Sequence, residues 1–286
     1  MKSTIKFAAL GACALAATST AALAQEIPSG FTAGIDLASP LPTGIYAIDI
    51  NGVIATDHAN GALHGNVYAA VPGVIWSSPY EFAGGKFGLT GLFAYGDYEN
   101  DVSPGLGLTS HTAYAGPWAS IIEANMKWNF GSLSVSENAG IMYLFGSGNF
   151  LTAKLNGFAD NTNFVGSTDF TWHGIPGLTA LLNISYGTAS DMTGDNQDGW
   201  ITFEGALLKK FGKMEIGPLL VYSTNLSGAN YEQTLVGAKV GYAFDGFNGD
   251  FRVMQTVETS GTLTGNDTRV FVDFVKPLWV AEESLK

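Results

Sequence analysis

The sequence predicts an all-β protein: a transmembrane antiparallel β-barrel of about 12 strands, with short periplasmic turns and longer extracellular loops. Three observations predict it. The first is strict two-residue alternation, clearest in Ala115–Phe145. There Trp118, Ile122, Ala124, Met126, Trp128 and Phe130 fall on one parity, and Glu123, Asn125, Lys127 and Asn129 on the other. A period of two is a strand with one apolar face, whereas a helix would bury two amides in its apolar stripe. The second is that connections between such segments alternate long and short along the chain, the asymmetry of bacterial outer-membrane barrels. The third is composition: 46% hydrophobic, 13% charged and 37 glycines. No apolar run beyond the N-terminal one approaches the ~20 residues of a membrane helix.

The chain opens like a secretory signal peptide. Lys2 and Lys6 precede an apolar run, Phe7 to Ala17, and Ala22-Leu23-Ala24 supplies an A-x-A cleavage site before Gln25. Cleavage after Ala24 would remove Cys13, the single cysteine, so no disulfide framework holds the exported chain. It would also remove two lysines from a chain whose formal charge is already −12. Such acidity argues against nucleic acid as a partner, because phosphate binding needs a basic footprint.

Residues 25–43 include Pro28, Pro40 and Pro42 and keep no regular period. They read as an N-terminal segment at the periplasmic end, with the option of reaching into the barrel. The barrel is expected over 44–279, followed by a tail, 280–286. Its first strand is about Gly44–Ala55, with Tyr46, Ile48 and Ile50 opposite Asp49 and Asn51. A polar connection, Asp57–Gly61, leads to a second strand near Val67–Trp76. The Gly84-Gly85 turn gives a third, Phe87–Tyr95. After the long connection Gly96–Tyr114 comes the Ala115–Phe145 hairpin, whose second half resumes the period with Leu133, Val135, Ala139, Ile141 and Tyr143. Glu137 breaks that apolar parity, which a bulge, a membrane edge or an inward turn would explain.

Gly146–Thr162 reads as a long loop with strand-like pieces or as part of an extra hairpin. Strands follow at about Asn163–His173, at Leu178–Tyr186 beyond a Gly-Ile-Pro-Gly turn, and at Ile201–Leu207 beyond the polar run Asp191–Gly199. The ninth, near Met214–Tyr222, carries Pro218, which lacks an amide donor and predicts local distortion. The last three are expected at Val236–Phe244, Phe251–Val257 and Thr268–Trp279.

Pro42-Thr43-Gly44-Ile45-Tyr46, Val71-Pro72-Gly73-Val74-Ile75-Trp76 and the Gly84-Gly85-Lys86-Phe87-Gly88 turn resemble the outer-membrane family associated with the meta-cleavage pathway of phenol degradation, often labelled as transporters. The resemblance implies a barrel that passes hydrophobic or aromatic compounds, with no catalytic residues to carry over. Such barrels usually end on an aromatic residue, whereas here Trp279 is followed by Val280–Lys286.

The inward parity is expected to line the lumen with Asp49, Glu123, Asn125, Lys127, Asp169, Glu204, Lys239, Arg252 and Asp273. These serve either as a selectivity lining or as ion-paired filling. Trp118 and Trp128 share a face, and ten residues span roughly 33 Å of strand, or roughly 23 Å of height at a 45° tilt. They are therefore expected at the two membrane edges, together with Tyr143, Trp172, Tyr186, Tyr222 and Tyr242. The loop Gly105-Leu106-Gly107-Leu108 could form an outer vestibule, though a plain glycine-rich loop suits it better. Asp191, Asp195 and Asp198 lack EF-hand spacing and read as a solvated acidic loop. His58, His64, His111 and His173 show no metal-ligand spacing, and Ser110-His111 adjacency does not make a nucleophile and base. No cofactor, metal or catalytic set is expected.

The function read from these features is passive outer-membrane uptake of small hydrophobic or aromatic compounds by a non-enzymatic channel. The partners would be outer-membrane lipid, the solute and the barrel-insertion machinery. Two other classes stay open: a barrel hydrolase acting on lipid, and a soluble periplasmic β-protein that binds a ligand.

Overall fold

The computed structural model describes residues 29–58, 63–102, 110–145, 161–188, 199–226, 232–260 and 265–282. Twelve strands form one closed antiparallel barrel in which each pairs with its chain neighbour and the first pairs with the last. They are β1 (Gly44–His58), β2 (Leu63–Phe82), β3 (Gly85–Val102), β4 (Ser110–Asn129), β5 (Leu133–Leu144) and β6 (Asn161–Ile175). They continue as β7 (Leu178–Thr188), β8 (Trp200–Phe211), β9 (Met214–Asn225), β10 (Glu232–Phe244), β11 (Phe247–Ser260) and β12 (Gly265–Val280). The signal-peptide reading, the Gly105–Leu108 loop, the acidic run at 191–198 and the extra hairpin considered within 146–160 lie outside the described residues.

Closure follows from the alternation. β1 meets β12 in a ladder from Gly44↔Val280 to His58↔Gly265, with one register shift between Ile45 and Tyr46, so no edge strand is left to pair elsewhere. The tight turns all lie at one end, which in outer-membrane barrels faces the periplasm. They use residues of positive φ, including Ala83 and Gly84, Gly131, Gly177, Gly212 and Gly246. The outer wall is apolar and bare: Ile122 is 68% exposed and Phe164 64%, with Phe93, Leu207, Leu220 and Phe251 exposed around the circumference. An apolar belt of this extent on a closed sheet suits hydrocarbon and not water.

Three positions singled out by the sequence behave differently in the ladder. The β3–β4 register shifts between Ala94↔Ala119 and Tyr95↔Pro117, which leaves Trp118 as the extra residue of a bulge. Pro218 causes no bulge. Pairing of β8 with β9 lapses after Ala206↔Leu219 and resumes in the same register at Lys209↔Ile216. Glu137 also sits in unbroken register, on the outer wall, where the Thr168 hydroxyl donates to both its carboxylate oxygens at 3.0 Å. The bulge considered at Glu137 does not form; a neighbouring hydroxyl solvates the carboxylate instead.

The core lies inside the barrel. Phe31, Ala33 and Ile35 of the N-terminal segment pack against inward side chains that include Ile48, Ile50, Val71, Leu219, Val221, Met254 and Phe271. The Phe31 and Phe271 rings meet edge to face, with centroids 6.2 Å apart. The segment does not rest at the barrel's mouth. It enters the lumen and fills it.

Candidate functional site

Residues Ser29–Thr43 form a plug whose main chain is held by the barrel wall. At the base, the Ala281 amide donates to the Thr43 carbonyl at 2.9 Å, and the Tyr46 hydroxyl to that of Pro42 at 2.9 Å. The Leu41 carbonyl receives Lys86 Nζ and Ser77 Oγ, both at 2.9 Å. Further in, Lys127 Nζ donates to the Leu37 carbonyl at 2.6 Å, and Thr171 Oγ1 to the Asp36 carboxylate at 2.6 Å. Asn183 Nδ2 reaches the carbonyls of Thr32 and Ile35 at 3.0 and 3.3 Å. Lys239 Nζ donates to the Gly34 carbonyl at 2.6 Å.

The deep end is gripped from both polarities. Arg252 Nη1 donates to the carbonyls of Gly30 and Ala33, each at 3.0 Å. Arg269 donates to the Ser29 carbonyl and, at 3.1 Å, to its hydroxyl. Glu204 takes the opposite role. It accepts the amides of Gly30 at 2.6 Å and Thr32 at 3.0 Å, as well as the Thr32 hydroxyl. Charge-assisted bonds of this kind are roughly twice as strong as neutral ones.

The gripping charges are themselves neutralised by the wall. Lys239 Nζ lies 2.8 Å from Glu215 and 3.1 Å from Asp250. Arg252 Nη2 contacts Asp273 at 2.6 Å, an ion pair whose angle falls outside hydrogen-bond geometry. The Arg252 guanidinium also lies 4.9 Å over the Phe271 ring. Arg269 pairs with Asp267 at 2.8 Å and with Gln233 at 2.7 Å. Strands on every side of the lumen therefore contribute, so the plug spans the barrel and does not lie along one wall.

Of the expected lumen residues, Glu123, Asn125, Lys127, Asp169, Glu204, Lys239, Arg252 and Asp273 share the inward parity with buried neighbours. Lys127, Glu204, Lys239 and Arg252 touch the plug directly. Asp169 instead accepts Ser136, Asn138 and Ser167 on the wall. Asp49 is a correction. It pairs with Pro72 and Phe274, both exposed on the outer wall, while Tyr46, Ile48 and Ile50 turn inward. The reason is the plug: Phe31 and Ile35 demand an apolar wall, so β1 gives its bulkier apolar parity to the interior.

Trp118 is the second correction. The bulge reverses its direction, and the ring packs against the interior cluster above Gly96, where a Cβ would lie 3.5 Å from it. It is not a membrane-edge residue. Trp128, Trp172 and Tyr242 lie on the outer wall near the tight turns, with the Trp128 indole donating to the Ala83 carbonyl at 3.2 Å. Tyr143, Tyr186 and Tyr222 lie on the outer wall near the opposite ends of their strands.

Sequence reasoning missed Arg269, Asp267, Gln233, Asn183 and Lys86 as plug-holding or supporting groups. Arg269 was legible in principle, since it shares the parity of Asp273. The partners of the others were hidden because a segment without periodicity gives no register.

The fold is that of an outer-membrane barrel. In three dimensions the chain is similar to an outer membrane channel from Pseudomonas putida F1, with a TM-score of 0.66 and 12% identity over 84% of this chain and 98% of that one. It is also similar to the β domain of the Bordetella autotransporter BrkA, at TM-score 0.50 and 12% identity over 83% of this chain and 100% of that one. The transport unit of the autotransporter AIDA-I from Escherichia coli scores 0.50 at 11% identity, over 92% and 97% of the two chains. At such identities the likeness speaks to the fold alone. No protein-family model matches the chain, and no curated protein matches its sequence.

One substitution isolates the plug from the barrel. Gly30 has φ +86°, and a Cβ there would lie 2.6 Å from Met254 Cε. Gly30→Val should cost the docked plug about 1–2 kcal/mol from backbone conformation alone, before the clash. Limited proteolysis should then cut the N-terminal segment faster while the thermal transition of the strands stays in place.

Proposed function

We propose that the chain is an outer-membrane barrel for passive uptake of small hydrophobic or aromatic compounds. The observation that supports this reading best is the character of the inner wall. Ile48, Ile50, Ile54, Val67, Val71, Ile121, Met142, Val165 and Leu181 all face inward and are buried. A water-filled porin keeps a polar interior and an unobstructed bore. Here apolar stretches of wall lie beside the charged groups that hold the plug, and the plug occupies the lumen, which disfavours bulk passage of sugars and ions. The resemblance of the Pro42–Tyr46 and Val71–Trp76 stretches to the phenol meta-pathway barrels supplies the aromatic part of the reading. The outer-wall Trp128, Trp172 and Tyr242, and the opposed Tyr143, Tyr186 and Tyr222, would seat the barrel at the two membrane edges. Glu123, Asn125 and Asp169 would tune selectivity along the lumen, and β12, ending near Trp279, would be the strand offered to the insertion machinery.

Liposomes containing the purified protein test this directly. Aromatic solutes should enter faster than into protein-free liposomes, while sugars of similar size should gain little. Equal acceleration of both, or of sugars alone, would overturn the substrate class and leave the barrel standing.

A further inference from the structure

Most of the hydrogen bonds by which the wall grips its own plug go to the peptide backbone. The carbonyls of Ser29, Gly30, Thr32, Ala33, Gly34, Ile35, Leu37 and Leu41 each receive a wall side chain, and the amides of Gly30 and Thr32 are taken by Glu204. The reading groups are buried and fixed: Arg252 is 0% exposed, Asn183 1%, Glu204 2% and Lys239 3%. Several are also held by wall partners, Lys239 by Glu215 and Asp250, Arg252 by Asp273 and Arg269 by Asp267; donors already oriented are what a peptide-binding site needs, because less ordering is left to be done on association. Side-chain discrimination is concentrated at a few positions. Gly30 and Gly34 have φ +86° and +79°, and a Cβ on either would come within 3.0 Å of Met254 or Leu219. Phe31 fills the place beside Phe271. The Thr32 side chain is half-buried and that of Asp36 exposed, and each makes one hydrogen bond to the wall, to Glu204 and from Thr171, that an isosteric polar side chain could also make.

We propose that the lumen is a peptide-binding site, occupied here by residues 29–41, which reads main chain and accepts a ligand in trans. The class of ligand is a short peptide with glycine at two positions four apart and an aromatic residue directly after the first. Nothing in this depends on the solute-uptake reading, because it follows from the contacts between wall and plug.

The test keeps the full chain folded with its plug in place. A protease recognition sequence is inserted after Pro42, which is exposed at the barrel's mouth, and the purified barrel is then nicked. A labelled synthetic peptide of residues 29–42 is added, and its exchange is followed by fluorescence anisotropy and gel filtration. The nicked segment should stay with the barrel and be replaced by labelled peptide, saturably. Unlabelled peptide carrying Gly30→Val should compete about tenfold more weakly, the factor that 1–2 kcal/mol of backbone cost implies. Peptide carrying Asp36→Asn should compete nearly as well as the parent. A scrambled peptide that competes equally, or labelled peptide that fails to bind after the nicked segment has left, would overturn the proposal. A segment that stays bound and never exchanges would do so too, since it would belong to the folded core and not to a site. Solute flux is not read in this experiment, so its failure leaves the uptake reading untouched.

Discussion

Deleting residues 29–41 is expected to raise the single-channel conductance of the barrel severalfold and to let sugars pass as readily as aromatic solutes. The strands begin at Gly44, so their ladder survives the deletion intact. What changes is the lumen. The side chains of Lys86, Lys127, Lys239, Arg252 and Arg269 lose their carbonyl partners, Glu204 loses two amides, and water takes those places. Once hydrated, the same wall becomes a polar bore of the kind that lets solutes pass unselectively. Planar-bilayer recording of the deleted and intact proteins checks this. Unchanged conductance would mean that the plug is not what limits flow.

Replacing Arg252 by alanine is expected to be the most destabilising single substitution in the interior, at about 3–5 kcal/mol, because removal of one partner from a buried ion pair strands the other. Asp273 is 2% exposed and would be left buried without its guanidinium partner, while the carbonyls of Gly30 and Ala33 would lose their donor. The double variant Arg252→Met with Asp273→Leu removes both charges and should recover much of the loss. A double-mutant cycle from denaturant unfolding in detergent gives the coupling between them. If the double variant were no more stable than Arg252→Ala, the loss would come from the plug contacts and not from the stranded carboxylate.

How much of this the sequence discloses depends on periodicity. Where inside and outside differ in polarity, as in β4 with Glu123, Asn125 and Lys127 against Ile122, Ala124 and Met126, parity alone assigns the faces. β1 defeats the same rule. Both its faces are largely apolar, one meeting Phe31 and Ile35 and the other the outer wall's surroundings, so Asp49 and Asn51 were the guide and pointed the wrong way. Trp118 fails for a different reason. A bulge adds one residue and reverses every assignment beyond it, and its one signal in Gly116-Pro117-Trp118, a proline without an amide donor, went unread. The plug is illegible for a third reason. Most of its polar contacts are made by main-chain atoms, which every residue possesses, so neither composition nor spacing records them.

The plug also bears on the order in which the molecule comes together. Its wall contacts join residues far apart in the chain: Glu204 is 174 positions from Gly30, Arg252 is 222, and Arg269 is 240 from Ser29. Contacts of such separation form only after the intervening hairpins, which are local and fast. The strand that leaves the plug, β1, is also the one that closes the barrel against β12. Docking the segment is therefore a late step, alongside the closing of that last seam. Until that event is complete, the interior cations face open water, and the two end strands expose free edges to any chain able to pair with them.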